Sequence, residues 1–428
     1  MKSKIIALSA LILIFVSLFS GCIQDEDDFN KIPTVKISYP YDKNQVQGIV
    51  MISGDAGDED GDNTLERVEI KINDLNWDDA EGTTQWSYNW NTYDMDDGIY
   101  AIKARSWDGF EYSEIDEILV RLDNPESVET DSHKWAIFVA VANSGANNSK
   151  LGNGGLYLSE DMSSYLIEEK GYSTDNIFLL FDDGWIRTNN GYGRRIATLQ
   201  QRRHDYDINY GAATKNNVES TIKHIISESN KYEDSEVFIW FFAHGCGDEN
   251  DSRFGGKILE RSEIKLWDSF LADNELGHLL STLKSKETTI IIDACFSGGF
   301  ADKTIFNFPE VFLLKSELAR TGRVVITGAS KYRVGYASTT SGPLFTLLWF
   351  DGIISGDADG YRPGLFKMGR PTKLKMFEDG KVSVEEAFYY ARYMFKNTEE
   401  LDMFDTMEPQ INDKYPKMIL NGEGLILG

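Results

Sequence analysis

Cysteine is almost missing from this chain, with three among 428 residues. A disulfide framework cannot hold such a protein together, so its stability must come from apolar cores. Positive charge is also short. Lys and Arg number 43 against 69 Asp and Glu, a formal net charge of −26, which argues against nucleic acid as a partner because its phosphates would meet a repelling surface. No internal repeat is visible, and no acidic loop has the ligand spacing of an EF-hand. Only one long run without a charged residue is predominantly apolar, residues 5–19 near the start.

What is present is enough for two domains or more, since 41% of the residues are apolar and the length exceeds that of a usual single core. The chemistry concentrates in two stretches. Residues 288–292 form a short β-branched run bounded by turn residues, which predicts a buried strand of a parallel sheet. It runs on through Asp293 and Ala294 to Cys295, and Ser297-Gly298-Gly299 follows, where the backbone can turn sharply and approach a bound group. About fifty residues upstream, the apolar run 237–243 ends in His244-Gly245-Cys246. Adjacent parallel strands would present His244 and Cys295 at one sheet edge, where open α/β sheets place ligands. That pair is a nucleophile with its base. A buried structural cysteine and a turn histidine are the alternatives for each residue taken singly.

Strand-His-Gly followed by strand-Asp-Ala-Cys-x-Ser-Gly resembles the caspase-like cysteine peptidases, the group of caspases, metacaspases, paracaspases, legumains and gingipains. Lys134-Trp-Ala-Ile-Phe-Val-Ala-Val-Ala142 resembles the first strand of that fold, residues 171–183 its second, and Arg323-Val-Val-Ile-Thr-Gly-Ala-Ser330 the strand after the cysteine. The resemblance covers residues 132–428. It implies an α/β domain with a mostly parallel sheet flanked by helices, a Cys295 thiolate attacking a peptide carbonyl, and His244 relaying the proton. It also implies that Gly245 and Cys295 donate backbone N–H groups to the oxyanion. Asp293, two residues before the nucleophile, faces the same side of its strand. In metacaspases and paracaspases an acid here lines the pocket for the residue before the scissile bond, which implies cleavage after Arg or Lys. Legumain-like cleavage after Asn or Asp, or transpeptidation, is the competing reading, as is a catalytically silent surface-binding protein. Asp293 has its own alternative, a strand-end carboxylate capping nearby N–H groups. The second pocket acid of metacaspases aligns with Leu158, and the nearest acids are Glu160 and Asp161.

The remaining sequence organises around this domain. Residues 1–21 read as a signal peptide, with Lys2 and Lys4 before the apolar run and Leu18-Phe-Ser-Gly-Cys22 closing it. The closing residues resemble a lipoprotein signal, which makes Cys22 the lipid attachment site; an uncleaved membrane anchor is the alternative. Either places the rest outside the cytoplasm, on the outer face of the membrane. Residues 22–31 are an acidic tether. Residues 32–124 alternate in short runs separated by turns, an all-β sandwich resembling the immunoglobulin-like modules of extracellular prokaryotic proteins. Residues 125–131 form a linker to the domain at 132–428. Between residues 22 and 130 stand 27 acidic and 8 basic side chains, so the acidity belongs mainly to this first part. The acidic loop 54–62 suits calcium by composition, but a solvated turn is the expectation, and no cofactor is assigned.

Helices are expected at 156–170, 215–229, 274–283, 344–354 and 384–395, with strands at 135–142, 177–181 and 324–328. Residues 185–211 then form a long insertion containing Arg194, Arg195, Arg202 and Arg203, dibasic sites at which an Arg-preferring enzyme would cut itself.

Overall fold

Alternation of apolar and polar residues governs the described positions before residue 124. In the computed structural model, residues 30–73, 75–92, 95–123, 132–142, 151–186, 197–198, 203, 206–246, 260–304, 308–364, 371–415 and 424–428 are described. Strands β1 (Thr34–Tyr39), β2 (Gln45–Val46), β3 (Ile49–Gly57), β4 (Arg67–Ile72), β5 (Asp78–Asp79), β6 (Gln85–Asn91), β7 (Gly98–Trp107) and β8 (Asp116–Leu122) make two sheets, ordered β1-β3-β6 and β2-β8-β7-β4-β5. Val68, Ile70 and Ile72 of β4 are buried with Ile102 and Ala104 of β7. The intervening residues lie on the opposite face, where Glu69 accepts from Arg67 at 2.8 Å and from Arg105 at 2.6 Å. The Arg105 guanidinium also stacks between Trp77, 4.2 Å from its ring centroid, and Tyr112 at 3.8 Å. This region is the immunoglobulin-like β-sandwich.

After residue 132 the period changes. Strands β9 (Lys134–Ala140), β10 (Ile177–Phe181), β11 (Asn209–Gly211), β12 (Glu236–Phe242), β13 (Glu287–Asp293), β14 (Arg323–Thr327) and β15 (Gln410–Asp413) form one seven-stranded sheet in the order β11-β10-β9-β12-β13-β14-β15. Every neighbouring pair is parallel except β14 with β15. Continuous apolar runs form its centre because both faces are covered. One face buries Phe138, Trp240 and Ile291 against α1 (Gly154–Lys170), α4 (Leu344–Ser355) and α5 (Val384–Asn397). The other buries Val139, Ile239 and Ile292 against α2 (Lys215–Ser229) and α3 (Asp273–Leu279). The helix limits follow local chemistry. α1 ends at Gly171 with φ 70°, a left-handed cap that costs glycine little. Ser383 and Glu386 close a reciprocal capping box at the start of α5.

Two elements differ from the sequence expectation. The helix expected at 274–283 stops at Leu279 and tightens into a 3₁₀ turn over Leu280–Thr282, because the chain must descend into β13. The insertion at 185–211 is not irregular throughout: its end is the sheet edge β11, anchored where the Asn209 side chain donates to the carbonyls of Asp175 and Ile177 at 2.9 and 3.1 Å. By compactness the chain divides into two units, residues 1–38 with 53–86 and 101–118, and residues 39–52 with 87–100 and 119–428. Among the described residues no helix is long and apolar enough to cross a membrane.

Candidate active site

β12 and β13 are neighbours in the middle of the sheet, and their register sets Phe242 opposite Asp293. His244 and Cys295, each two residues further on, therefore leave the sheet side by side. His244 is exposed and Cys295 half-buried. Both line one half-open pocket of about 30 Å³ with Asp293, Leu151, Gly335 and Tyr336.

The two strand ends touch through their backbones. A Cβ added to Gly245 would stand 1.7 Å from the Cys295 carbonyl oxygen, 2.6 Å from its carbon and 3.0 Å from its nitrogen. Only glycine permits that approach. Gly245 is also bridged to Ile264 on its other side, through Lys265 N–H to His244 O at 2.8 Å and Cys246 N–H to Glu263 O at 2.9 Å. In such a pair the bonds run between the flanking residues, so the N–H of Gly245 itself is directed away from Ile264.

Immediately after the cysteine the chain turns through Phe296, whose φ of 55° is left-handed, a conformation that an aromatic residue holds only when its surroundings enforce it. The enforcing contacts are local and buried. Phe296 N–H donates to Arg333 O at 2.7 Å, and the Phe296 carbonyl accepts from the Ser262 hydroxyl at 2.6 Å. That hydroxyl also accepts from Gly299 N–H at 3.0 Å. Gly298 and Gly299 cannot carry side chains, since a Cβ would stand 2.4 Å from Lys331 N and 2.6 Å from the Asp273 carboxylate. Asp273, fully buried, accepts from Ser262 N–H and from Arg261, each at 3.0 Å. Burial pushes its carboxyl above the ordinary range against the pull of those donors. The thiol is held as well: Gly335 N–H donates to Cys295 Sγ at 3.3 Å, and the thiol faces Gly335 O at 3.7 Å.

Asp293 is 2% exposed. One carboxylate oxygen accepts from Thr346 N–H at 3.0 Å and from the Thr346 hydroxyl at 2.8 Å, which ties β13 to the first turn of α4. Burial raises its carboxyl to about 6, the Thr346 bonds pulling the other way. The carboxylate thus lies on the wall of the Cys295 pocket and caps a helix at once. Sequence reasoning missed Thr346, Ser262, Arg261 and Gly335 altogether. None stands in the two motifs, and only the fold brings them there.

The other candidates lie elsewhere. Cys22, Arg194, Arg195 and Arg202 fall outside the described residues. Arg203 is exposed and lies beside two residues of α1, 3.6 Å from Asp161 and with its guanidinium 5.3 Å from the Tyr157 ring centroid. Glu160 is fully buried and accepts from the Tyr210 hydroxyl at 3.0 Å. In the acidic loop, Asp58 accepts from Asp60 N–H at 2.9 Å and from the Thr64 hydroxyl at 2.6 Å. No group of three or more metal-ligating side chains occurs among the described residues. Cys246 is exposed and lines a second pocket with Arg261, Phe296 and Lys331.

Comparison with known proteins matches residues 33–104 to the bacterial Ig domain and residues 161–345 to the caspase domain. The chain carries a bacterial Ig-like domain followed by a caspase-like domain, and the latter match includes both His244 and Cys295. No curated protein matches. Among solved structures, caspase-1 from Spodoptera frugiperda is 10% identical, with a TM-score of 0.38, and the match covers 69% of this chain and 91% of that one. The endo-beta-1,4-mannanase from Thermotoga petrophila is 20% identical, with a TM-score of 0.20 over 24% of this chain; the match spans only 21% of the mannanase. The fibronectin(III)-like modules of Clostridium thermocellum CbhA are 21% identical, with a TM-score of 0.18 over 22% of this chain and 47% of that one.

Proposed function

We propose, from a caspase-like domain with a histidine and a cysteine at adjacent strand ends, that this protein is a cysteine endopeptidase cutting peptides after Arg or Lys. The observation that carries the reading is the backbone contact between Gly245 and Cys295, which a structural cysteine would not require. In the reaction, Cys295 Sγ bonds to the carbonyl carbon of the substrate while the N–H groups of Gly245 and Cys295 hold the negative oxygen. His244 carries the thiol proton to the departing amine as the C–N bond breaks. Water then adds to the thioester, releasing the carboxylic acid and the free thiol. Asp293 supplies the negative charge for a basic side chain, and substrate must widen the pocket to reach it. The N-terminal sequence supports a lipid at Cys22 that tethers the enzyme outside the cytoplasm.

The decisive measurement is turnover of fluorogenic peptides ending in Arg, Lys, Asn or Asp by wild type and Cys295→Ala. Wild-type turnover with Arg and Lys leading, and none in the alanine variant at an unchanged melting temperature, is the expected result. Activity retained by the variant would sink the assignment, and Asn leading the panel would overturn the basic specificity. Replacing Cys22 by Ala should release the protein from membranes; an unaltered membrane fraction refutes the lipid tether.

A further inference from the structure

Ser297 stands two residues beyond the nucleophile, with its side chain fully buried and no route to a substrate. Its hydroxyl donates to the Ala294 carbonyl at 2.8 Å and lies 3.2 Å from the Ala329 carbonyl. The Ala294 carbonyl belongs to the same planar peptide unit as the Cys295 N–H, and in a trans peptide the two point in opposite directions. A bond that fixes the carbonyl therefore fixes the aim of the N–H. The rest of this peptide unit is enclosed as well. A Cβ on Gly335 would lie 3.5 Å from Ala294 C and 3.6 Å from both Ala294 O and Cys295 N, and a Cβ on Gly245 would lie 3.0 Å from Cys295 N. Glycine faces it at both places, and Ser297 holds it by a directed bond.

We propose that Ser297 is a positioning residue: through the Ala294 carbonyl it sets the direction of the Cys295 N–H that receives the oxyanion. The inference rests on the peptidase reading above. The bland alternative is that a hydroxyl bonded three residues back merely stabilises a turn, as serines in loops commonly do. The two differ in what they predict. A turn brace, once removed, loosens the nucleophile with everything else on the loop. An aiming residue leaves the thiol reactive and weakens only the state that carries the oxyanion.

The test compares wild type with Ser297→Ala in three measurements: peptide turnover, alkylation of Cys295 by iodoacetamide, and binding of a peptide aldehyde whose adduct mimics the tetrahedral intermediate. Deleting an oxyanion donor outright costs about 10²–10³ in kcat, so misdirecting one should cost roughly 10- to 100-fold. The expected result is a kcat lower by that factor with KM unchanged. Aldehyde affinity should be lost in the same proportion, while alkylation stays within about twofold of wild type. Alkylation falling together with turnover would assign Ser297 to the turn and overturn the proposal. So would turnover that falls without loss of aldehyde affinity, or turnover that does not fall. Should the alanine variant fail to fold, Ser297→Cys keeps the volume with a weaker donor, and its kcat, KM and aldehyde affinity must divide the same way. Failure of the peptidase reading would look different, with Cys295→Ala as active as wild type, and would remove this proposal with it.

Discussion

Gly245→Ala is the substitution in which the site geometry is most exposed to refutation. Gly245 is not among the residues with positive φ, so alanine is conformationally acceptable and the obstacle is space alone. The new methyl would stand 1.7 Å from the Cys295 carbonyl oxygen, whereas nonbonded carbon contacts settle near 3.5 Å, so a relative shift of about 1.5 Å or more must be found. The cysteine side cannot supply it cheaply, because Phe296 is pinned at both its N–H and its carbonyl. The histidine end is displaced instead. A misplacement of about 1 Å in a reacting group costs on the order of 10² in rate, or about 2.7 kcal/mol, and the overpacking adds roughly 1–3 kcal/mol of destabilisation. We expect kcat/KM for an Arg-terminated fluorogenic peptide to fall about 100-fold or more, with a melting temperature lower by a few degrees. A variant within threefold of wild type, melting at the same temperature, would mean that the two strand ends do not meet as described.

Asp293→Asn should slow Arg cleavage by roughly 10- to 100-fold, the loss of one charge-assisted bond. Because the wild-type carboxyl is raised to about 6, Arg turnover should also fall as pH drops through that value in wild type and not in the variant; identical pH profiles would refute the role. A second pH effect arises away from the site, at Glu385. This side chain is fully buried, accepts from Leu425 N–H at 2.9 Å, and is raised by burial, then by Asp413, to about 8. Its contribution to stability is complete below 4.5 and is lost as pH rises through about 8, so wild type should melt progressively lower across that range. Glu385→Gln should flatten the dependence, and a parallel decline in the variant would show the cause to lie elsewhere. Purified wild type, and not Cys295→Ala, should be nicked after Arg194, Arg195, Arg202 or Arg203 when examined by mass spectrometry. An intact wild-type chain that cleaves peptides, or the same nicks in both proteins, refutes self-processing.

Much of the caspase-like domain was readable because its central strands are apolar on both faces and end in chemically distinctive residues. The runs before His244 and Cys295 could hardly be anything but neighbours in a covered sheet, and α2 begins and ends at the limits expected for it. Gly245 was legible through the family resemblance as an oxyanion donor, but its close packing against the Cys295 carbonyl was not. Ser262 and Thr346 were not legible at all, since serine and threonine carry no periodic signal and their partners, Phe296 and Asp293, lie 34 and 53 residues away. β15 escaped for a related reason: Gln410–Asp413 is short and mostly polar, and an antiparallel edge strand needs little apolar surface.

The placement of His244 and Cys295 at the ends of β12 and β13 determines how the proposed activity would be lost. Binding residues usually ride on segments that open at low cost, but β12 is the central strand of the seven and β13 the third from the β15 edge, each paired on both sides. Their amides should be among the last to exchange hydrogen with solvent, at a free energy close to that of unfolding the whole domain. Fraying at β11 or β15 would leave His244 and Cys295 in register. Heat inactivation should accordingly coincide with global melting and show no earlier phase, so the temperature at which peptide turnover disappears reports on the core of this domain as directly as calorimetry does.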